Sequence, residues 1–275
     1  MLKCDLSAGL GEWVDGTDWA EVARGVAPGG PQDRSSAALV NHLVGNPLSA
    51  PVFEMLLWPP IITFLEHGCV ALGGADVQAS LNGGLIRSWE SFSVEEGDVL
   101  EMQLRGAGSR LYMGASQSVL PLSFCGRSAW RELRSILPSL TPLRVLAGRD
   151  FDVDSKGKFL HGSRWRVLQQ MSGMGCRLVP LDGLSALSLI DGDSLVGSSA
   201  PVQDGLLQWT PEGLIALLRG RGTMGGYPQL GSVLDADVDR LAQLRPGNTV
   251  ELALVMDEEA MQVQSRYEEW FRQLV

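Results

Sequence analysis

"CVALGGADVQASLNGGLIRSWESFSVEEGDVLEMQL", residues 69–104, alternates short apolar runs with turn-forming residues. Asn82-Gly83 stands between two of those runs. Both residue types tolerate the positive φ that a two-residue hairpin demands, so the spacing predicts paired antiparallel strands. "RPGNTVELALVM" (245–256) has the same grammar. A Pro-Gly-Asn turn leads into a run that puts Val250, Leu252 and Leu254 on one face. Gly97-Asp98-Val99-Leu100-Glu101 resembles Gly247-Asn248-Thr249-Val250-Glu251, 150 residues further on. Two such units mark either a duplicated β domain or the glycine-led strands common to any β protein.

Working outward, helices are few. Residues 35–45 carry Ala38, Val40, Leu43 and Val44 before a glycine stop at Gly45. Residues 128–137 open on Ser128, a capping residue type, with Glu132 soon after. Residues 235–244 begin with Asp235 and place Val238, Leu241 and Leu244 on one side. The C-terminal segment puts Ala260, Val263, Tyr267, Trp270, Phe271 and Leu274 on one stripe, with acids at its start to suit the helix dipole. A boundary is expected within residues 139–159, where a Thr-Pro turn leads to the strand Leu143 to Ala147 and a polar stretch. The expected division is residues 1–140 and 141–275.

The chain has 275 residues, a net charge of −10 and 45% hydrophobic residues. That profile suits a globular protein, and the acidity argues against nucleic acid or an anionic membrane as partner. The N-terminus lacks a signal-peptide core, and the longest apolar runs are broken by Glu54 and by Pro59-Pro60. Cys4, Cys69, Cys125 and Cys176 are widely spread, as in a reduced cytoplasmic chain. His42, His67 and His161 lack ligand spacing, so no metal site is expected. Ser116, Ser123 and Ser163 show no nucleophile elbow. The tryptophans at 89, 130, 165, 209 and 270 read as core residues.

"LLRGRGTMGGYPQL" (217–230) holds Gly220, Gly222 and Gly225 in a G-x-G-x-x-G spacing. A dinucleotide loop needs a helix to open after the glycines, and Pro228 disfavours helix at Tyr227. Two readings remain for the residues themselves. Backbone amides with Arg219, Arg221 and Thr223 hold a carboxylate or phosphate, or the turn is a barrel corner with two solvated arginines. Three polar residues sit against apolar runs: Asn41, Glu54 and Asp76. Glu54 is either a site acid or an edge-strand residue facing water.

Eight stretches line up in order: "GVAPGGPQD" (25–33), "LVNHLVGNP" (39–47), "ALGGAD" (71–76), "EEGDVLEMQ" (95–103), "GSRLYM" (108–113), "SGMGCRL" (172–178), "LLQWTPEG" (206–213) and "GTMGGYPQLGSVLDADVDRLAQLRPG" (222–247). Together they resemble the allophanate hydrolase subunit 2 family, which includes the C subunit of 5-oxoprolinase, the kinase-inhibitor antagonist and part of the carboxyltransferase domain of urea carboxylase. The resemblance implies a mainly β fold of two cyclophilin-like barrels with a few helices. It implies two partners from the 5-oxoprolinase system, a kinase-inhibitor-like protein of the B type and a further protein of the A type. It implies a small amide or carboxylate substrate, with ATP-dependent opening of 5-oxoproline to glutamate. Other outcomes are a binding protein that antagonises a kinase-inhibitor-like partner, or carboxyl transfer from carboxybiotin. No carrier-type A-M-K-M motif exists here, so biotin would come from elsewhere.

The resemblance carries Asp33 and Glu54 as catalytic candidates. It carries Asn41, Arg110, Tyr112, Gln208, Arg221, Thr223, Gly225, Gly226 and Tyr227 as substrate-binding candidates. The chain also departs from the family's pattern. Thr17 stands where an Arg is usual, Gln32 where Met is preferred, Gly173 where an Arg is usual, and Gly220 and Gly222 where Asp and Gln are usual. A further family segment is shortened or absent around residues 116–128. Each missing Arg removes charge-assisted bonds of about 1.5–3 kcal/mol from an anion site.

Overall fold

In a computed structural model, residues 3–7, 9–117, 126–136, 142–150, 160–181 and 199–275 are described. Ser123, Cys125 and the greater part of the 139–159 boundary lie outside them, as does most of the segment expected to be shortened. The chain divides into two units. One comprises Met1–Gly16, Asp33–Ile136 and Glu268–Val275, the other Thr17–Gln32 and Leu137–Tyr267. The mainly β expectation holds, with few helices and a C-terminal one.

The first unit is built from two five-stranded sheets. One contains β1 (Cys4–Leu6), β4 (Ile62–Phe64), β9 (Val99–Leu104), β6 (Val77–Leu81) and β7 (Gly84–Ile86), in that order. The other contains β2 (Gly11–Val14), β3 (Val52–Leu56), β10 (Arg110–Ser116), β5 (Gly68–Gly74) and β8 (Ser91–Val94). Alternation along these strands sends Phe53, Met55, Val70, Leu72, Leu111 and Met113 into a core with Ile62, Phe64 and Leu100. The Asn82-Gly83 hairpin forms as read, with φ of 52° and 80° joining β6 to β7.

Helix α2 (Arg34–Leu43) packs on β5 and β10. Its backbone lies so close to β10 that a Cβ on Gly114 would meet the Val40 carbonyl oxygen at 2.6 Å. The helix ends in a Schellman motif: Gly45 N–H donates to the His42 carbonyl, and Asn46 N–H to that of Asn41, with Gly45 at φ 74°. Helix α3 (Gly126–Ile136) accepts at its Ala129 carbonyl from the Trp270 indole N–H.

The second unit holds a closed barrel of seven strands. Its order is β11 (Leu143–Ala147), β18 (Gln229–Val233), β15 (Leu206–Thr210), β16 (Gly213–Leu217), β13 (Gly175–Pro180), β12 (Ser163–Ser172) and β19 (Thr249–Leu254). All neighbours are antiparallel except β11 and β19. Trp165, Trp209, Leu178, Leu207, Leu214 and Leu252 fill its interior. Between β16 and β18 the chain leaves the barrel. It forms β17 (Met224–Gly225), which pairs with β14 (Ala200–Pro201). Helix α1 (Trp19–Val22) belongs to this unit, as does α4 (Asp235–Ala242). Asp237 in α4 is fully buried and takes bonds from Arg144 and Arg240. Burial pushes its pKa up, but those arginines win and hold it below the usual value. The last helix, α5 (Asp257–Gln273), starts on three acids, as its reading requires. No described helix is long and apolar enough to cross a membrane.

The two similar turns at 95–98 and 245–248 coincide in detail. Gly97 and Gly247 each have φ 88°. In one, the Asp98 carboxylate accepts from Glu95 N–H at 2.8 Å. In the other, the Asn248 amide oxygen accepts from Arg245 N–H at 2.8 Å. The following strands differ, since β9 has antiparallel neighbours only and β19 runs parallel to β11.

Candidate functional site

In the first unit the predicted residues gather under α2. The register pairs Tyr112 with Glu54 and Arg110 with Leu56. Glu54, Arg110 and Tyr112 therefore share the β3–β10 face opposite the apolar core. Glu54 is not on an edge, since β3 lies between β2 and β10. Its solvated-edge reading is corrected: it is 9% exposed and accepts from Arg110 Nε at 3.1 Å. Burying that arginine requires such a partner, because an unpaired guanidinium there would be prohibitive. The Tyr112 hydroxyl accepts from Asp33 N–H at 2.8 Å. Burial, and then the charges of Glu54 and Asp33, push the Tyr112 pKa well above the usual phenol value.

Asp33 is the N-cap of α2. Its carboxylate accepts from Ser36 N–H at 2.9 Å, Ser36 Oγ at 2.7 Å and Ser35 Oγ at 2.9 Å. The residue type follows from the orphan amides of a helix start. Asn41 is fully buried. Its Nδ2 donates to the Ala50 carbonyl at 2.7 Å, and its Oδ1 accepts from Asn46 Nδ2 at 3.3 Å. Asn46 Nδ2 also donates to the Ala115 carbonyl. The "VNHLVGNP" stretch is thus a helix stop plus a side-chain clamp on the loop after it.

In the second unit, Gln208 and the glycine turn come together. Gln208 is 4% exposed and donates from Nε2 to the Tyr227 carbonyl at 3.4 Å. A Cβ on Gly225 would meet that Nε2 at 2.7 Å, which explains the glycine. Thr223 presents its carbonyl to Val202 N–H at 3.1 Å. Gly226 is half-buried, and Tyr227 is exposed. The glycines lead into β17 rather than a helix, in keeping with the rejection of a dinucleotide loop.

The solvated-arginine alternative is overturned by the burial. Arg219 is 3% exposed and Arg221 9%. Arg219 donates from Nη1 to Asp204 at 3.1 Å and Asp235 at 2.9 Å, and from Nη2 to Asp239 at 3.0 Å. Burial works against its charge, but Asp239, then Asp235, outweigh burial and raise its pKa. The Tyr267 hydroxyl donates to the second oxygen of Asp239. Burial, with Asp239 beside it, keeps that phenol protonated well above its usual range. Arg221 donates from Nε to Asp204 at 2.7 Å and from Nη1 to the Gly222 carbonyl at 3.0 Å. Sequence reading missed Asp204, Asp235 and Asp239. Asp235 and Asp239 are spaced i, i+4 on α4, the one local signal that they share a face.

A family model, "Carboxyltransferase domain, subdomain A and B", matches residues 24–129 and 121–254. The chain belongs to this family. It is 24% identical to the C subunit of 5-oxoprolinase from Escherichia coli (strain K12), over 91% of this chain and 90% of that protein. The solved structure of TTHA0988 superposes with a TM-score of 0.76 at 26% identity. This chain is 93% covered there but spans only 56% of TTHA0988. The K. lactis urea amidolyase superposes at 0.81 with 20% identity, covering 99% of this chain and 20% of that one, a likeness of fold.

Three of the residues that the resemblance marks as departures, Gln32, Gly173 and Gly220, meet in space. Gly220 N–H donates to the Gly173 carbonyl at 2.8 Å, and a Cβ on Gly220 would stand 2.7 Å from that oxygen. A Cβ on Gly173 would in turn meet Gln32 Nε2 at 3.3 Å. Gln32 Oε1 accepts from Arg219 N–H at 3.0 Å, and its carbonyl from Arg219 Nε. An aspartate at 220 cannot fit unless the 173 turn withdraws. Gln32, Gly173 and Gly220 are therefore in mutual contact, with Arg219 beside them.

Proposed function

We propose that this chain is the C-type component of an ATP-dependent 5-oxoprolinase-type complex. It acts with a kinase-inhibitor-like protein of the B type and a further protein of the A type, adding water across the lactam C–N bond of 5-oxoproline to give glutamate. The observation that carries this reading is the end-to-end likeness to the C subunit of a 5-oxoprolinase, 91% of this chain against 90% of that one.

The residues suit a divided task. Arg221, Thr223 and the amide of Gly226 suit a small anion, because charge-assisted donors on a tight glycine turn approach it closely, while Gly225 is held in the β14–β17 pairing. The Arg110–Glu54 ion pair and, beside it, the Tyr112 hydroxyl on the Asp33 amide offer buried groups able to hold a proton at a fixed atom. The glycine turn does not fit nucleotide phosphates, since no helix opens after it to converge amides on them. ATP is assigned to another component of the complex, and a carboxybiotin, in the carboxyl-transfer alternative, to another protein.

The test is co-expression with the B-type and A-type proteins, following ATP-dependent glutamate release from 5-oxoproline. Replacing both Arg221 and Thr223 by Ala is expected to lower turnover at least about 100-fold, the scale of losing preorganised donors. Unchanged turnover removes the glycine turn from the site. The tight packing of Gly220 on the Gly173 carbonyl, which leaves no room for a side chain there, favours a second reading, a non-catalytic component that binds and antagonises the kinase-inhibitor-like partner. A stable complex without any glutamate release supports that reading instead.

A further inference from the structure

We propose that Asp204 and Arg219 are positioning residues that aim the Arg221 guanidinium at the carboxylate of the substrate. This deepens, and rests on, the assignment of the glycine turn to the site.

Four of the five side-chain N–H donors of Arg219 are engaged. Its guanidinium is taken up by Gln32, Asp204, Asp235 and Asp239, and Asp239 is held in turn by Tyr267. Such a knot fixes what touches it. Asp204 touches it on one side only: Oδ2 accepts from Arg219 and Oδ1 from Arg221 Nε. Arg221 is thereby anchored at Nε by a fixed carboxylate and at Nη1 by its neighbour's carbonyl. Among the described residues no acceptor stands against Arg221 Nη2, and none against the Thr223 hydroxyl two residues on. Between them Gly222 is uncrowded, a Cβ there standing 3.8 Å from the Met224 carbonyl, an ordinary contact. A preorganised planar cation beside an uncrowded glycine is a receptor for a planar anion.

The surrounding charge selects which anion. Arg219 and Arg221 share the region with Asp204, Asp235 and Asp239, so acids outnumber arginines. A dianion meets more repulsion there than a monoanion does. The ligand class is therefore a monocarboxylate, as on 5-oxoproline, rather than a phosphate.

The experiment measures binding and turnover on the full chain in its complex. Probes are 5-oxoproline, 2-pyrrolidinone (the same lactam without a carboxylate) and inorganic phosphate. The wild type is expected to bind 5-oxoproline at least about 10-fold more tightly than 2-pyrrolidinone, the worth of one charge-assisted contact. Asp204→Asn is expected to weaken 5-oxoproline about 10-fold while leaving 2-pyrrolidinone unchanged, because a neutral amide no longer fixes the guanidinium. Asp204→Glu should restore part of the loss, and Arg221→Lys should not, since an ammonium lacks the planar fork. In turnover the Asp204→Asn effect falls on KM, with kcat kept. Thermal unfolding of each variant separates folding from binding.

Equal wild-type affinity for the two lactams, or an Asp204→Asn loss equal on both, overturns the proposal. Phosphate competing as well as 5-oxoproline overturns the choice of a monoanion. Selective binding without glutamate release leaves this proposal standing and removes the hydrolase reading. Glutamate release with an unmoved KM in Asp204→Asn does the reverse. Binding of none of the probes overturns both.

Discussion

In the first unit Arg110 meets the Glu54 carboxylate across adjacent strands, while in the second Arg219 meets three aspartates drawn from a loop and a helix. Each cluster also holds a fully buried tyrosine, Tyr112 in one and Tyr267 in the other. The difference is in how the partners are brought to the arginine. A strand ladder sets Glu54 beside Arg110 by register, so the pair forms as soon as β3 and β10 align. Around Arg219 the partners converge only when the loop before β15, the helix α4 and the residue Tyr267 are all in place. Such a cluster depends on tertiary structure and should be the more cooperative of the two.

Removal of the central cation tests this first, with the largest expected effect. Arg219→Met leaves three carboxylates facing one another and should cost about 4–5 kcal/mol, the upper range for breaking a buried ion cluster. That is a large share of a domain's stability, so the urea midpoint should fall steeply or the chain should fail to fold. Adding Asp239→Asn should recover part of the loss, since it removes one of the mutually repelling charges. No recovery in the double variant would mean that packing, not charge, dominates the cluster. Arg110→Met follows at about 3 kcal/mol, because it removes one ion pair where Arg219→Met removes three. If Arg110→Met proves the costlier, the contrast between the units is inverted.

The tyrosines sharpen the comparison through pH. Both phenols have pKa values raised in the fold, by burial first and nearby carboxylates second. A raised folded pKa means stability present below the unfolded value and lost as pH rises through the folded one. The loss should therefore begin above about pH 10. Tyr267→Phe should cost about 1.5–3 kcal/mol at pH 7, because its hydroxyl donates to a carboxylate. Tyr112→Phe should cost about 1 kcal/mol, its observed bond being from a neutral amide. Both variants should flatten the stability profile between neutral and strongly alkaline pH. Denaturant midpoints measured across that range check the order, and a steeper profile in either variant contradicts it.

What is legible in the sequence follows the same division. Asn82-Gly83, the Gly45 stop and the acids opening α5 act within a few residues, and each lies where local chemistry puts it. Glu54 stands out because a polar residue in an apolar strand needs a partner, and strand register supplies it in Arg110. Asp204 is not legible. In "VQDGLLQW" it reads as an ordinary turn acid, and nothing within ten residues of it reveals two arginines beyond β16. Arg219 admits a solvated reading because glycines surround it, whereas burial there comes from partners distant in sequence. Gln32, Gly173 and Gly220 lie far apart along the chain, and nothing local reveals that they touch.

The smallest effect belongs to the feature the two units have in common. Gly97 and Gly247 have the same φ of 88°, and a Cβ on either would meet nothing within 4 Å. Replacing each with Ala therefore isolates the backbone cost of a left-handed conformation, about 1–2 kcal/mol, with no packing contribution. Side-chain caps match as well, Asp98 in one turn and Asn248 in the other accepting at 2.8 Å. If local geometry governs, Gly97→Ala and Gly247→Ala should lower stability equally, within about 0.5 kcal/mol, the usual error of additivity at separate sites. The double variant should then cost the sum. An unequal pair would mean that the following strands, antiparallel at β9 and partly parallel at β19, set how much strain each turn can absorb. The likeness of the two turns would then end at their dihedral angles, and the units would differ in tolerance as well as in charge.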